Sequence, residues 1–301
     1  MLKPHPRTEN VFTENGKPIV AKVPHLNGDY LPDSVAKAVE LLGGIEKAIR
    51  PGDKVMVKPN FNCSYATPLS TDLAFLAAAI ELLQDAGAKV TVGELSGRGD
   101  WPTEKVCNNL KVLPVMRRYG VEFINWEFDE WLPMEVNGKW WKSFRVPRTM
   151  YEADKRVYLC NMRCHPRRFS AALKLSVGWI NLDDRDYLHV DSETADEKVP
   201  ELNLGWQPNL VLMDGRRSTV TLYGRGPYVY PNVVMASGDM VAIDTEAVKI
   251  LKTYPEQNRL NMPIEEMGQI KMALEHNLGS TDYILKEAPA NLATEQVAKT
   301  P

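Results

Sequence analysis

The chain has 301 residues, of which 44% are hydrophobic and 25% charged, and its formal net charge at pH 7 is -3. Such a composition is typical of a folded globular protein and excludes extensive disorder. The slightly acidic balance argues against broad binding to nucleic acid, so any basic surface must be local. No apolar run approaches the roughly 18 residues that a membrane span needs.

The N-terminal segment, residues 1–7, lacks the apolar core of a signal peptide, so we expect a cytoplasmic protein. An exported form whose signal has already been removed remains open. The four cysteines are too few and too irregularly spaced for a disulfide scaffold or a thiolate cluster. Cys160, Cys164 and His165 could supply three metal ligands, but plain packing of the cysteines is favoured, and the metal is left unknown.

Strand and helix patterns alternate through the first half of the chain. In chain order we predict a strand over 18–23, a helix over 35–42, a strand over 54–58, a helix over 73–83, a strand over 89–92, a helix over 103–119 that bends or breaks at Pro114, and a strand over 121–125. Strand, helix and strand in this order form a right-handed parallel unit. This half therefore predicts a doubly wound α/β fold.

The pattern changes to aromatic and alternating near residues 126–150. Asn137-Gly138 lies between two such runs, which predicts an antiparallel hairpin that is inserted over the edge of the sheet. Trp131, Trp140 and Trp141 lie near this turn. They could form a surface for a partner, but a small satellite core is favoured because aromatic residues dominate packing in small layers.

Further apolar strands are predicted over 156–160, 209–213 and 233–236. We find no internal repeat. The expectation is a single α/β domain over residues 1–301, with an insertion near 126–150 and a polar C-terminal tail from about 287. Its core is a mainly parallel doubly wound sheet that carries an antiparallel aromatic hairpin insertion.

Polar side chains follow several of these strands. A basic segment that starts at Arg163 follows the strand over 156–160. Lys58 ends another strand, and Asn60, Asp214 and Asp239 follow the ends of strands. Ligands of open α/β sheets bind outside the carboxyl ends of strands, so these residues are expected to share one cleft. The cleft is predicted to bind a small anion, a carboxylate or a phosphate, with backbone N–H groups of a following helix start as further donors.

Two classes of function follow from this cleft. As an enzyme, the protein would use His165 for proton transfer near neutral pH. The predicted catalytic residues are His165, Lys174 and Asp214, and the predicted binding residues are Lys58, Asn60, Arg163, Arg167, Ser170 and Asp239. In the alternative, the chain is a non-catalytic accessory or cofactor-delivery subunit of a larger complex. A protein partner or a homo-oligomer is possible in either case.

The order of the motifs resembles the domain-of-unknown-function family 362. Pro51 to Asn60, Glu94 to Gly97, and Ala236 to Asp244 resemble blocks of that family, and the likeness runs from about Ala21 to Asp282. The segments 163–165 and 170–178 resemble its Lys-x-His and Thr-Gly-x-x-Lys-Asn-x-x-Gly motifs. Arg163, Ser170 and Ala171 replace the usual Lys, Thr and Gly, and Leu175-Ser176 replaces the usual Lys-Asn, which leaves ligand identity open.

Some members of that family carry a ferredoxin-like module, but this chain has no cysteine runs for one, so no intrinsic iron-sulfur cluster is expected and the cofactor is unknown. His165, Ser170 and Lys174 also resemble a segment of the nickel-pincer lactate racemases, in which the lysine carries the cofactor. The paired glycine of that segment is replaced by Ala171-Ala172. No Gly-x-Gly-x-x-Gly, Gly-x-Ser-x-Gly or His-Glu-x-x-His motif is present.

Overall fold

The computed structural model describes residues 1–97, 101–166, 168–190, 194–221, 227–254, 258 and 260–289. Its strands are β1 (Thr13–Glu14), β2 (Lys17–Pro24), β3 (Lys54–Lys58), β4 (Lys89–Glu94), β5 (Glu122–Asn125), β6 (Trp131–Glu135), β7 (Ser143–Pro147), β8 (Lys155–Asn161), β9 (Arg163–His165), β10 (Arg168–Ser170), β11 (Leu210–Gly215), β12 (Ser218–Thr219), β13 (Tyr228–Val229), β14 (Val233–Ser237) and β15 (Ile284–Glu287). Its helices are α1 (Leu31–Leu42), α2 (Leu73–Asp85), α3 (Thr103–Leu110), α4 (Val112–Tyr119), α5 (Arg148–Tyr151), α6 (Ala172–Leu175), α7 (Leu182–Val190), α8 (Ala195–Glu201), α9 (Met240–Lys252) and α10 (Gly268–Glu275). None of the described helices is both long and apolar enough to cross a membrane.

One large sheet organises the molecule, with the strand order β1-β2-β14-β11-β8-β3-β4-β5 and with β15 paired to β2. Strands β11, β8, β3, β4 and β5 are parallel to one another, whereas β14 is antiparallel to both of its neighbours. The central strand β11 is buried along its whole length, as parallel strands covered on both faces usually are. The predicted mainly parallel α/β fold is confirmed.

The two faces of this sheet pack into two separate hydrophobic cores. Leu210 and Leu212 of β11 belong to one core, while Val211 and Met213 belong to the other, because successive side chains of a strand point to opposite faces. Helices α1, α2 and α4 pack on the first face. The hairpin β6–β7 and helices α6, α8, α9 and α10 pack on the second face.

The segment predicted as one helix over 103–119 forms two helices. Lys111 lies between α3 and α4 with a positive φ of 63°, which breaks the regular helical hydrogen bonding. Pro114 lies in the first turn of α4, where a missing N–H leaves no intrahelical bond unmade. The break is therefore at Lys111, and its predicted position at Pro114 is wrong.

The aromatic hairpin forms, but its connection differs from the predicted turn. Glu135 of β6 pairs with Ser143 of β7, so the connection spans residues 136–142. Asn137 and Gly138 do not have the positive φ angles that a two-residue turn of this type requires. The hairpin also covers one face of the sheet, because Trp141 is buried in the core of that face, so the predicted position over the edge is wrong.

The C-terminal segment adds a strand that the sequence did not predict. β15 pairs in parallel with β2, and the Ala288 N–H donates to Lys22 O. This strand ends at Glu287, where the predicted polar tail begins, and residues 290–301 lie outside the described part of the chain.

Candidate functional site

A cavity of about 390 Å³ lies at the carboxyl ends of the central strands. From β3 the chain runs to β4 and β5 on one side, and it then crosses back to β8 and β11 on the other. The strand order thus reverses between β3 and β8, and ligands of open α/β sheets bind at such a crevice. The cavity is lined by Lys58, Asn60, Asn62, Glu94, Gly97, Trp101, Cys160, Asn161, Arg163, His165, Ser170, Ala171, Lys174, Leu175, Val177, Gly178, Arg185 and His189.

A buried ion pair forms one wall of the cavity. Lys58 Nζ lies 2.7 Å from Glu94 Oε1, and both side chains are 1% exposed. The backbone N–H groups of Phe61 and Leu95 donate to the Glu94 carboxylate, at 2.6 and 2.9 Å. Burial lowers the pKa of the Lys58 ammonium, and the neighbouring Glu94 carboxylate opposes this shift. The pair therefore fixes a lysine amine at the cavity wall.

Gly178 leaves the space in which this lysine ends. A Cβ atom at this position would lie 2.5 Å from Lys58 Nζ and 3.1 Å from Glu94 Oε1. Such distances are too short for packed atoms, so any larger residue would displace the ion pair. The centroid of the Trp126 ring lies 5.9 Å from Lys58 Nζ, within reach of a cation-π interaction.

The basic segment is a β-hairpin, and its pairing explains which side chains reach the cavity. Ser170 pairs with Arg163, Phe169 with Cys164, and Arg168 with His165. Cys164 and Phe169 are fully buried in the core. Because side chains alternate along a strand, Arg163, His165 and Ser170 lie on the other face, where they line the cavity.

Two polar atoms of the cavity lack hydrogen-bond partners among the described residues. They are the Arg163 Nε donor and the Asn161 Oδ1 acceptor, both of which are buried. Burial also lowers the pKa of the Arg163 guanidinium from its ordinary value. Buried polar atoms nearly always have a partner, so these two atoms are candidates to bind a ligand.

Lys174 reaches the cavity from the short helix α6. The Ala172 and Leu173 N–H groups at the start of this helix donate to the buried Asp244 carboxylate, at 2.7 and 2.9 Å. Burial raises the pKa of Asp244 to about 7, and these two donors oppose the shift. The N–H groups at this helix start were predicted to bind the anion, but they already donate to Asp244. That prediction is therefore wrong.

Six of the nine predicted site residues line the cavity, namely Lys58, Asn60, Arg163, His165, Ser170 and Lys174. Asp214 lines a different cavity, where both of its oxygens accept hydrogen bonds from Arg216. Asp239 lines a third cavity and caps helix α9 by accepting from the Val241 and Ala242 N–H groups. The expected common cleft therefore does not include Asp214 or Asp239. Arg167 lies outside the described residues.

Several groups of the cavity were not predicted from the sequence. Glu94 is the carboxylate among the described lining residues, and it ends strand β4 as Lys58 ends β3, so its position could have identified it. Arg185 comes from helix α7 and donates to the backbone carbonyls of Ser96, Leu95 and Ile180, at 2.7, 2.6 and 3.3 Å. Trp101 and His189 also line the cavity, and nothing in their local pattern points to it.

The cysteine-histidine cluster weighed as a metal site does not form. Cys164 lies on the core face of its hairpin, opposite to His165, and Cys160 is buried on β8. Among the described residues no three His, Cys, Asp or Glu side chains converge as metal ligands would. Cys160 and Cys164 are packing residues in this arrangement.

The chain is similar to known proteins in sequence and in fold. The chain matches the family described as "Domain of unknown function (DUF362)" over residues 55–249. A thylakoid-associated protein of Synechocystis sp. is 23% identical over 233 residues, which cover 74% of this chain and 70% of that protein. The lactate racemase apoprotein from Thermoanaerobacterium thermosaccharolyticum is a structural neighbour with a TM-score of 0.36 and 12% identity. That match covers 77% of this chain and 57% of the racemase chain.

The family match begins in strand β3 and ends in helix α9, so it includes the strands that meet at the switch point and all of the described residues that line the cavity. It covers well over half of the chain. The chain therefore belongs to the DUF362 family.

Proposed function

We propose that the cavity between β3 and β8 binds a small anion, a carboxylate or a phosphate, and that His165 transfers a proton to or from the bound compound. The observation that carries this proposal is the convergence of four cationic side chains on one cavity. Lys58 comes from β3, Arg163 from β9, Lys174 from α6 and Arg185 from α7. A protein with a net charge of -3 thus concentrates positive charge at its switch point.

The cavity contains the groups that such chemistry needs. The Arg163 guanidinium and the Lys174 ammonium are charged donors for an anion, and Asn60 and Ser170 are neutral groups that can orient it. His165 lines the same cavity, and an imidazole exchanges protons near neutral pH. Asp214 and Asp239 have no part in this proposal, because they line other cavities.

Calorimetric titration with inorganic phosphate and with acetate tests the binding. We expect Lys174→Met to weaken the affinity by about tenfold to a hundredfold, because one charge-assisted contact is lost. Lys271→Met is the matched control, since Lys271 is exposed on helix α10 and should have no effect. Equal affinities of all three proteins, with unchanged circular dichroism, would exclude Lys174 from the site.

Proton transfer is tested on the compound that the protein retains. Native mass spectrometry of protein purified from its source identifies that compound, which is then incubated in D2O with the wild type and with His165→Gln. We expect the wild type alone to convert the compound or to exchange its protons. Retention of the compound without any conversion or exchange by the wild type would favour a carrier or delivery subunit over an enzyme.

A further inference from the structure

We infer that the cavity selects an anion that also carries a hydroxyl group, such as a hydroxycarboxylate or hydrogen phosphate, over an anion of equal charge that has none. This inference rests on the proposed function, and it concerns the neutral group that accompanies the charge of the ligand. It follows from two buried polar atoms of the lining, one donor and one acceptor, that have no hydrogen-bond partner among the described residues.

Asn161 and Arg163 bring these two atoms to the cavity from neighbouring positions. Asn161 ends β8 and Arg163 begins β9, and both side chains line the cavity. Met162 between them is fully buried in the core, because successive side chains of an extended segment point to opposite sides. Two residues span at most about 7 Å of chain, so one small ligand can contact both side chains.

Neighbouring strands hold both residues in place. Asn161 pairs with Asp214 of β11, and Arg163 pairs with Ser170 of β10. Asn161 is 4% exposed, and its Nδ2 group donates to Thr67 Oγ1 over 3.5 Å. Because the amide nitrogen faces Thr67, the amide oxygen Oδ1 is the atom that remains for a ligand.

The two atoms require different groups on the ligand. The Arg163 Nε–H group can donate to a carboxylate or phosphate oxygen, whereas Asn161 Oδ1 can only accept and needs an O–H or N–H group of the ligand. An anion that displaces water from the cavity without supplying such a donor leaves Oδ1 buried and unpaired, which weakens its binding. A hydroxyl group supplies the donor without adding a positive charge to the anion, as an ammonium group would.

The test uses pairs of anions that have the same charge and differ in a hydroxyl group. Phosphate is compared with sulfate, and glycolate with acetate, by calorimetric titration at pH 8 and fixed ionic strength. At this pH phosphate is mainly the doubly charged ion that keeps one O–H group, whereas sulfate has the same charge and shape without it. In the pair that binds more tightly, we expect the hydroxyl-bearing member to bind at least about tenfold more tightly than its partner. The two pairs also distinguish a carboxylate ligand from a phosphate ligand.

Variants locate the source of the preference. Asn161→Leu keeps the approximate size of the side chain and removes its oxygen, so it should abolish the difference in affinity within the pair. Asn137→Leu, at an exposed position in the connection between β6 and β7, is the matched control and should keep the difference. Asn161→Ala provides the same test if Asn161→Leu does not fold, and the comparison within each pair on the wild type needs no variant.

The outcomes separate this inference from the proposed function. Equal affinities within both pairs, or tighter binding of the anion that lacks the hydroxyl group, would overturn the inference and leave the anion site intact. A difference that survives in the folded Asn161 variants would overturn the role of Asn161 as the acceptor. Failure of all four anions to bind would overturn the proposed function as well.

Discussion

At the scale of single residues, the Lys58–Glu94 pair is the best-defined feature of the site. Removing one partner of a buried ion pair leaves an uncompensated charge away from water, which costs far more than losing an exposed pair. The pair is also confined sterically, because Gly178 and the Trp126 ring lie against the lysine. Its strength and its position should therefore both be sensitive to substitution.

We expect Lys58→Met and Glu94→Gln each to lower the free energy of unfolding by about 3 to 5 kcal/mol. The double variant should lose clearly less than the sum, because it leaves neither charge alone. Urea denaturation of the four proteins measures this coupling. Lys37→Met is the control, since Lys37 pairs with Glu40 on an exposed face of α1 and should change the free energy by less than about 1 kcal/mol. Additive losses would show that the pair contributes nothing as a pair.

At the scale of elements, the two hairpins show how a buried partner shapes a turn. In the β9–β10 hairpin, Cys164 and Phe169 are buried in the core. The opposite face of the hairpin therefore lines the cavity. The connection between β6 and β7 instead wraps around the Glu201 carboxylate of helix α8. The N–H groups of Lys139, Trp140 and Trp141 donate to that carboxylate, at 2.6, 2.8 and 2.9 Å.

Because the Glu201 carboxylate lies inside this connection, we expect substitutions at Asn137 and at Gly138 to have different effects on stability. A Cβ atom at Gly138 would lie 2.2 Å from Glu201 Oε2, so Gly138→Ala should destabilise the protein by about 1 to 3 kcal/mol. Asn137 is exposed and has no positive φ, so Asn137→Ala should be nearly neutral. Thermal unfolding of both variants provides the measurement. A comparable loss for Asn137→Ala would favour the tight turn that the sequence suggested.

At the scale of the whole molecule, two carboxylates beside the second face of the sheet connect stability to pH. Burial raises the pKa of Asp239 to about 6 and that of Asp244 to about 7. Both pKa values exceed the ordinary value of 3.8. Between pH 3.8 and the raised pKa, each carboxyl therefore holds a proton in the folded protein that the unfolded chain has released. The contribution of these two carboxylates to stability therefore falls as the pH rises from about 4 to about 7.

Asp244→Asn should remove part of this dependence. The stability of the variant relative to the wild type is expected to rise between pH 5 and pH 8, by an amount on the order of a few kcal/mol, because the asparagine stays neutral while Asp244 ionises. Urea denaturation at several pH values gives both curves. Asp85→Asn, at the exposed end of α2, is the control and should shift the curve equally at each pH. Parallel curves for Asp244→Asn would contradict the raised pKa.

Much of the architecture could be predicted from the local sequence. Strand β3 coincides with the strand predicted over 54–58 from its apolar run, and Asp72 caps helix α2 from its position directly before an apolar run. Lys58 and His165 were identified because Lys58 ends one predicted strand and His165 follows another, and the ends of parallel strands meet at one edge of the sheet. These features depend on periodicity and caps, which neighbouring residues determine.

The sequence by itself thus determined the α/β class, seven of the nine strands of the large sheet and six residues that line the cavity. Tertiary structure decided the rest, because pairing between distant segments has no local signature. It pairs Glu94 with Lys58 and Asp214 with Arg216, and it places the Asp244 carboxylate at the start of helix α6. Each of these carboxylates is held by a partner whose position depends on how the sheet is ordered and covered. Which polar residues remain for a ligand is therefore a property of the folded molecule.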